Sequence, residues 1–115
     1  MNNPGNDNKT LADQTTNWTR IVNASDQLLQ LAGQKNWDKL GRLQRERDRL
    51  IKHFFSSETH PELISGIQAD IRKICDQDKQ IIQMVTENRT QLGTEAQHLR
   101  AMKNRIEQYL STEGN

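Results

Sequence analysis

The residues best suited to metal or acid–base chemistry are three histidines, and they lie far apart along the chain. His53, His60 and His98 fall in three different segments, and none of them belongs to an HxxxH or HxH pair. A zinc site needs three or four ligands at close, recurring spacings. The sequence therefore predicts no metal site and no bound cofactor.

Nucleophilic and phosphate chemistry also lack a motif. The single cysteine, Cys75, cannot form an internal disulfide and has no second cysteine for a redox pair, so we expect a reduced, partly buried thiol. The chain contains neither a GxxxxGK[ST] or GxGxxG phosphate loop nor a GxSxG nucleophile elbow. These observations predict that the protein is not an enzyme.

The clearest local charge pattern is a basic stripe. Between positions 35 and 53, seven Lys or Arg residues stand against three acidic residues. Four of the basic residues share one face of a predicted helix: Arg42, Arg45, Arg49 and Lys52. Such a stripe could contact phosphates, but no aromatic residues interleave it and the formal net charge is only +1. We interpret it as a solvated face with local ion pairs, which disfavours nucleic acid as the partner.

The composition indicates a small helical protein. A chain of 115 residues with 32% hydrophobic residues has little apolar material for a thick core, and an elongated helical shape fits it better. The longest apolar runs are two residues, far short of the ~20 that a membrane-spanning helix needs. The N-terminal residues do not resemble a secretory signal. We therefore expect a cytoplasmic protein without membrane insertion.

Two parts of the chain differ in character. Residues 1–9 include four Asn residues, one Pro and one Gly and have no apolar periodicity, which predicts a disordered N-terminal tail. Residues 10–112 are predicted to form a single helical-bundle domain.

Within this domain, two short helices are predicted first. The first runs from Thr10, which pairs with Asp13 as an N-terminal cap, to about residue 32. Gly33 is expected to supply a left-handed turn, and Asn36 to cap a second helix over 37–55. Pro61 suits the first turn of a third helix.

The third helix carries a heptad register that holds for more than six repeats. Its core positions are Ile64, Ile67, Ile71, Ile74, Asp78, Ile81, Val85, Asn88, Leu92, Glu95, Leu99, Met102, Ile106 and Tyr109. The unbroken register favours one continuous helix, whereas Gly93 followed by a capping pattern favours a break into two. The predicted fold is all-α: an antiparallel bundle of three to four helices with a long third helix that can break near Gly93.

Several short motifs together resemble a known family. These are SDQLLQLA at 25–32, WDKL at 37–40, ERDRLI at 46–51, and the isoleucines and Asp78 at 71–81. The pattern resembles that of the flagellar export chaperones of the FliT type, over about residues 18–110.

This resemblance implies a cytoplasmic chaperone that binds the C-terminal helical segment of the flagellar filament-cap protein. The chaperone would prevent premature assembly and deliver this client to the type III export gate. The resemblance also implies that Tyr109, six residues after Lys103, contacts the export gate, although the residue before it is Gln108 where the family has alanine.

A third helix that outruns the first two would leave its apolar positions half covered, and exposed apolar surface of that kind marks a binding site. The predicted partner-binding residues are Ile81, Val85, Leu92, Leu99, Met102, Ile106 and Tyr109.

Two alternative functions stay open at this point. One is a homodimeric coiled-coil adaptor in which residues 91–112 pair with a second copy of the chain. The other is a regulatory module that contacts a transcription complex or nucleic acid through the Arg42 stripe. The homodimer hypothesis requires that the segment after Gly93 extends and does not fold back. The nucleic-acid hypothesis predicts salt-dependent binding to DNA.

Overall fold

The computed structural model describes residues 7–88 and 93–114, with the side chains of 93–96, 98 and 110–114 left out of the description. The described residues form four helices and no strand: α1 Leu11–Gly33, α2 Trp37–Phe54, α3 Pro61–Glu87 and α4 Gly93–Gly114. The predicted all-α bundle is confirmed. The favoured continuous third helix is wrong, because α3 ends at Glu87 and α4 folds back against it.

The helix starts follow the predicted caps. The hydroxyl of Thr10 accepts from the Asp13 amide at 3.0 Å, and the Asp13 carboxylate accepts from the Thr10 amide at 3.3 Å. Asn36 caps α2 by accepting from the amide of Lys39. Pro61 occupies the first turn of α3, where its missing N–H costs no helical hydrogen bond.

The turn between α1 and α2 differs from the prediction. Gly33 remains part of α1, and the left-handed residue is Lys35, with a φ of 58°. The amide of Lys35 donates to the Ala32 carbonyl and that of Asn36 to the Leu31 carbonyl, so the end of α1 is satisfied by backbone groups. The chain reverses in three residues, which places α1 and α2 side by side.

The core consists of two groups of buried residues, one toward each end of the bundle. The aromatic cluster contains Trp18, Ile21, Ile51, Phe54, Ile67, Ile71, Ile74, Cys75, Met102 and Ile106. The aliphatic cluster contains Leu28, Ala32, Leu40, Ile81, Val85 and Leu99. Each cluster takes residues from opposite halves of successive helices, as antiparallel packing requires. α1 packs against α2 and α3, and α4 packs mainly against α3 and over a shorter stretch against α2.

The segment before α1 lies against the bundle at residues 7–9. Asn8 is buried, and its side-chain amide donates to the backbone carbonyl of Phe54, at the end of α2, at 2.7 Å. The side chain of Gln14 donates to the backbone carbonyls of Asn8 and Glu58. These hydrogen bonds attach Asn8 to the bundle, within residues 1–9, which the composition predicts as a disordered tail. Residues 1–6 lie outside the described residues.

None of the helices, over the residues that the structure describes, combines the length and apolarity needed to cross a membrane.

Candidate partner-binding site

The predicted partner-binding residues are brought together by the hairpin of α3 and α4. Ile81 and Val85 of α3 join Leu99 of α4 in the aliphatic cluster, and Met102 and Ile106 of α4 join the aromatic cluster. All five side chains are at most 3% exposed. Leu92 lies outside the described residues.

The expectation that these positions are half covered is therefore wrong. It assumed a third helix running past its neighbours, but α4 turns back and covers the apolar face of α3 with its own apolar face. The extended segment that the homodimeric coiled coil requires is likewise absent from the described residues. The five buried residues are accessible to a partner only if α4 moves.

Tyr109 is the one described member of the set that stays half exposed. Its ring stacks on that of Phe55 with centroids 4.3 Å apart, at the end of α2. Phe55 meets both Trp18 and Phe54 edge-on, and those two rings are tilted against each other. The tyrosine thus adds a fourth ring to an aromatic group. Beside it is an open cleft of about 620 Å³, lined by Tyr109, Phe55, Glu58 and Arg105 among others.

An ion pair joins α4 to α2 beside the apolar contacts that these helices make in the aromatic cluster. Arg105 of α4 forms an ion pair with Asp48 of α2, and both side chains are partly exposed. A second ion pair, between Lys103 and Glu107, lies within α4. Each partly exposed ion pair typically adds about 0.2–1 kcal/mol to the free energy of unfolding. The hold of α2 on α4 is thus weaker than the apolar contact of α4 with α3.

A buried ion pair lies between the two core clusters. Arg47 of α2 donates to both carboxylate oxygens of Asp78 in α3, at 2.9 and 2.8 Å, and both side chains are 0% exposed. The hydroxyl of Ser25 accepts a further bond from Arg47 at 3.0 Å. Burial raises the pKa of Asp78, and the Arg47 guanidinium opposes that rise. The heptad register marked Asp78 as a core position, and this pair explains how a carboxylate is accommodated there.

The basic stripe divides into two parts. Arg49 pairs with Glu46 and Lys52 with Asp48, so the C-terminal part of the stripe is neutralised locally. Arg42 and Arg45 are exposed and form no ion pair among the described residues. Arg42 borders a groove between α1 and α2 that the sequence did not reveal. In the sequence, this groove is indicated only by the glutamines along the exposed face of α1. Because glutamines are common on solvated helices, they do not by themselves predict a groove.

The residue types that could bind a metal or act as a nucleophile are dispersed in the described part of the fold. Among the described residues, no three His, Cys, Asp or Glu side chains lie close enough to hold an ion. Cys75 is buried, and burial, followed by the nearby carboxylates of Glu107 and Asp78, raises the pKa of its thiol to about 11. A thiol in such surroundings is protonated at neutral pH and is a poor nucleophile.

Comparison with known proteins gives one match. Residues 15–111 match the sequence model of the family described as flagellar protein FliT. No curated protein and no solved structure gave a match. The family match covers far more than half of the chain, with α2 and α3 complete and most of α1 and α4. The chain therefore belongs to the FliT family of flagellar proteins.

Proposed function

We propose that the protein is a cytoplasmic flagellar export chaperone and not an enzyme. It binds the C-terminal helical segment of the filament-cap protein, keeps this client from assembling early, and delivers it to the type III export gate. Membership in the FliT family supports the flagellar role. The arrangement of α3 and α4 supports the mode of binding.

The observation that carries the proposal is the way α4 lies on α3. Leu99, Met102 and Ile106 are spaced three and four residues apart, and all are buried in the bundle. This is the contact that an amphipathic client helix makes when it enters a groove between helices. α4 therefore occupies the surface where the client would lie, on the side of α3 that carries Ile81 and Val85.

Client binding then requires α4 to be displaced or shifted. The aliphatic cluster keeps Leu28, Ala32 and Leu40 on α1 and α2 when α4 leaves, so the remaining groove is still formed by three helices. The client replaces one set of apolar side chains by another, and the net change in buried apolar area is small. Exchange of this kind lets a chaperone hold a client without an exposed apolar surface in its free state.

Tyr109 is proposed to make the later contact with the export gate. It lies beside the aromatic cluster, at the opposite end of the bundle from Ile81 and Val85. Its half-exposed ring and the adjoining cleft are open while α4 is docked. The two roles are thus separated by their places in the fold.

Valine-selective methyl labelling tests the client site directly, because the chain contains only two valines. Val85 lies under α4, whereas Val22 is half buried on α1 beside the aromatic cluster. On titration with the C-terminal peptide of the cap protein, the Val85 methyl resonances should shift more than those of Val22, which can respond only through the loss of α4 side chains from the aromatic cluster. Shifts at Val22 alone, or at neither residue despite binding measured by calorimetry, would contradict the assignment.

A tyrosine pair tests the second role. Tyr109→Phe preserves the stacking on Phe55 and removes the hydroxyl, and Tyr109→Ala removes both. Tyr109→Phe should leave peptide affinity unchanged. Tyr109→Ala should not weaken peptide binding, because loss of the stacked ring can only loosen α4, and it should lose binding to the soluble domain of the export gate. Loss of peptide affinity in both variants would place Tyr109 in the client site instead.

A further inference from the structure

A groove of about 450 Å³ lies on the outer side of α1 and α2, away from α4. Leu31 and Leu43 line it and are half buried, whereas the polar residues around them are exposed. The groove is bounded by the last turns of α1 and the first turns of α2. Because α4 contributes none of its described lining residues, the groove is accessible whether α4 is docked or displaced.

The charge of this groove is positive. Lys39 and Arg42 line its α2 side, and neither forms an ion pair within the described part of the chain. None of the described lining residues is acidic. Arg49 and Lys52, about two and three turns beyond Arg42 along α2, are already paired with local carboxylates. Two cations without an ion pair therefore line the groove.

The α1 side of the groove carries amides at helical spacing. Gln27, Gln30 and Gln34 lie on one exposed face of α1 and all line the groove. At ~1.5 Å per residue, they span roughly 10 Å, or two turns of helix. Primary amides can donate to carboxylates and to backbone carbonyls. This side is suited to a polar chain segment of about two turns.

We propose that this groove is a second docking site, which binds a short acidic amphipathic segment of another protein. Leu31 and Leu43 accept one or two apolar side chains, Lys39 and Arg42 pair with carboxylates beside them, and the three glutamines bond the polar edge of the segment. The site is distinct from the face beneath α4 and lets the protein hold a second partner while that face is covered.

A nucleic acid fits these features less well than an acidic peptide. Phosphate backbones are bound by extended basic surfaces, and the basic stripe is interrupted by the ion pairs of Arg49 and Lys52. The groove has an apolar base that a sugar-phosphate backbone does not use. It contains no described aromatic ring on which a base could stack.

The test uses the full-length ¹⁵N-labelled protein and two synthetic helical peptides. The first has leucines spaced three and four residues apart and glutamates at the remaining positions, and the second has lysines in place of the glutamates. With the acidic peptide, saturable shifts are expected at Leu31, Leu43 and the side-chain amide of Gln30. Equal binding of the basic peptide, or shifts confined to residues outside the groove, would overturn the proposal.

Matched charge reversals test the cations. Lys39→Glu with Arg42→Glu should weaken binding of the acidic peptide at least tenfold. Arg72→Glu with Lys79→Glu, the same changes at exposed positions of α3, should have less than a twofold effect. Circular dichroism and melting temperature verify that both variants fold. Equal losses in the two variants, or tighter binding of a random-sequence DNA duplex at the same residues, would refute the peptide site.

Discussion

Arg47 and Asp78 join α2 to α3 through two parallel hydrogen bonds in the interior of the bundle, where neither side chain reaches solvent. Ser25 links α1 to the same pair, since its hydroxyl accepts from Arg47 and donates to the Ile21 carbonyl. Three helices thus meet at one polar point between two apolar clusters. Such a point fixes the axial position of the helices, because a shift by one turn would leave both charges unpaired.

Removing one partner of this pair should be costly. Arg47→Met leaves the Asp78 carboxylate buried without a counter-charge, and Asp78→Leu does the same to Arg47. Each single variant is expected to lose about 3–5 kcal/mol of unfolding free energy. The double variant should recover much of this loss, because two apolar side chains then face each other. Urea unfolding of the parent, the two single variants and the double variant gives the coupling energy between Arg47 and Asp78.

Arg45→Met is the matched control for this cycle, because Arg45 is exposed on the same helix. It should change stability by no more than about 0.5 kcal/mol. A double variant whose loss equals the sum of the single losses would show that the two residues act independently.

The buried pair also illustrates what the sequence could predict. The heptad register placed Asp78 among core positions, and in α2 Arg47 follows Leu43 by four residues and precedes Leu50 by three, which is the spacing of an inward-facing position. Periodicity identifies which residues face inward, but it does not say which of them meet. Their contact depends on how α2 and α3 are aligned, and this alignment is a tertiary property.

The end of α3 could not be predicted for a related reason. Core residues before and after Gly93 keep the same heptad register, so the pattern fits one long helix and two antiparallel ones equally well. A long helix would leave Leu99, Met102 and Ile106 without cover, whereas a hairpin buries all three. The gain in buried apolar area decides the outcome. The sequence placed these residues on one apolar face, and it did not indicate that α4 covers that face.

The left-handed residue in the first turn yields a stability prediction. Lys35 adopts a φ of 58°, which costs a residue with a Cβ atom roughly 1 kcal/mol. Lys35→Gly should therefore raise the unfolding free energy by about 0.5–1 kcal/mol, measured by urea unfolding. Gln34 precedes it with right-handed geometry, so Gln34→Gly should be destabilising. Equal effects of the two substitutions would show that strain at Lys35 is negligible.

The buried thiol predicts a pH dependence in the alkaline range. Burial raises the pKa of Cys75 from 9.0 to about 11, so the folded protein keeps a proton that the unfolded chain releases. The contribution of this thiol to the free energy of unfolding is fully present below pH 9 and is lost as the pH rises toward 11. The free energy of unfolding then falls by at most about 1.4 kcal/mol per pH unit because of this group. Cys75→Ala should lack this part of the decline, which is read from the difference between the two unfolding curves. Parallel curves from pH 8 to 11 would argue against the raised pKa.

The displacement of α4 can be tested without altering its apolar face. Arg105→Glu replaces the ion pair with Asp48 by a repulsion between two carboxylates, which should loosen α4 from α2. If the client must displace α4, its apparent affinity rises with the fraction of molecules in which α4 is already free. We expect calorimetry to show about threefold to fivefold tighter binding of the cap-protein peptide. Arg100→Glu makes the same charge change at an exposed position of α4 and should leave the affinity unchanged. If Arg105→Glu lowers the melting temperature but binds the peptide no better than Arg100→Glu, the client does not compete with α4.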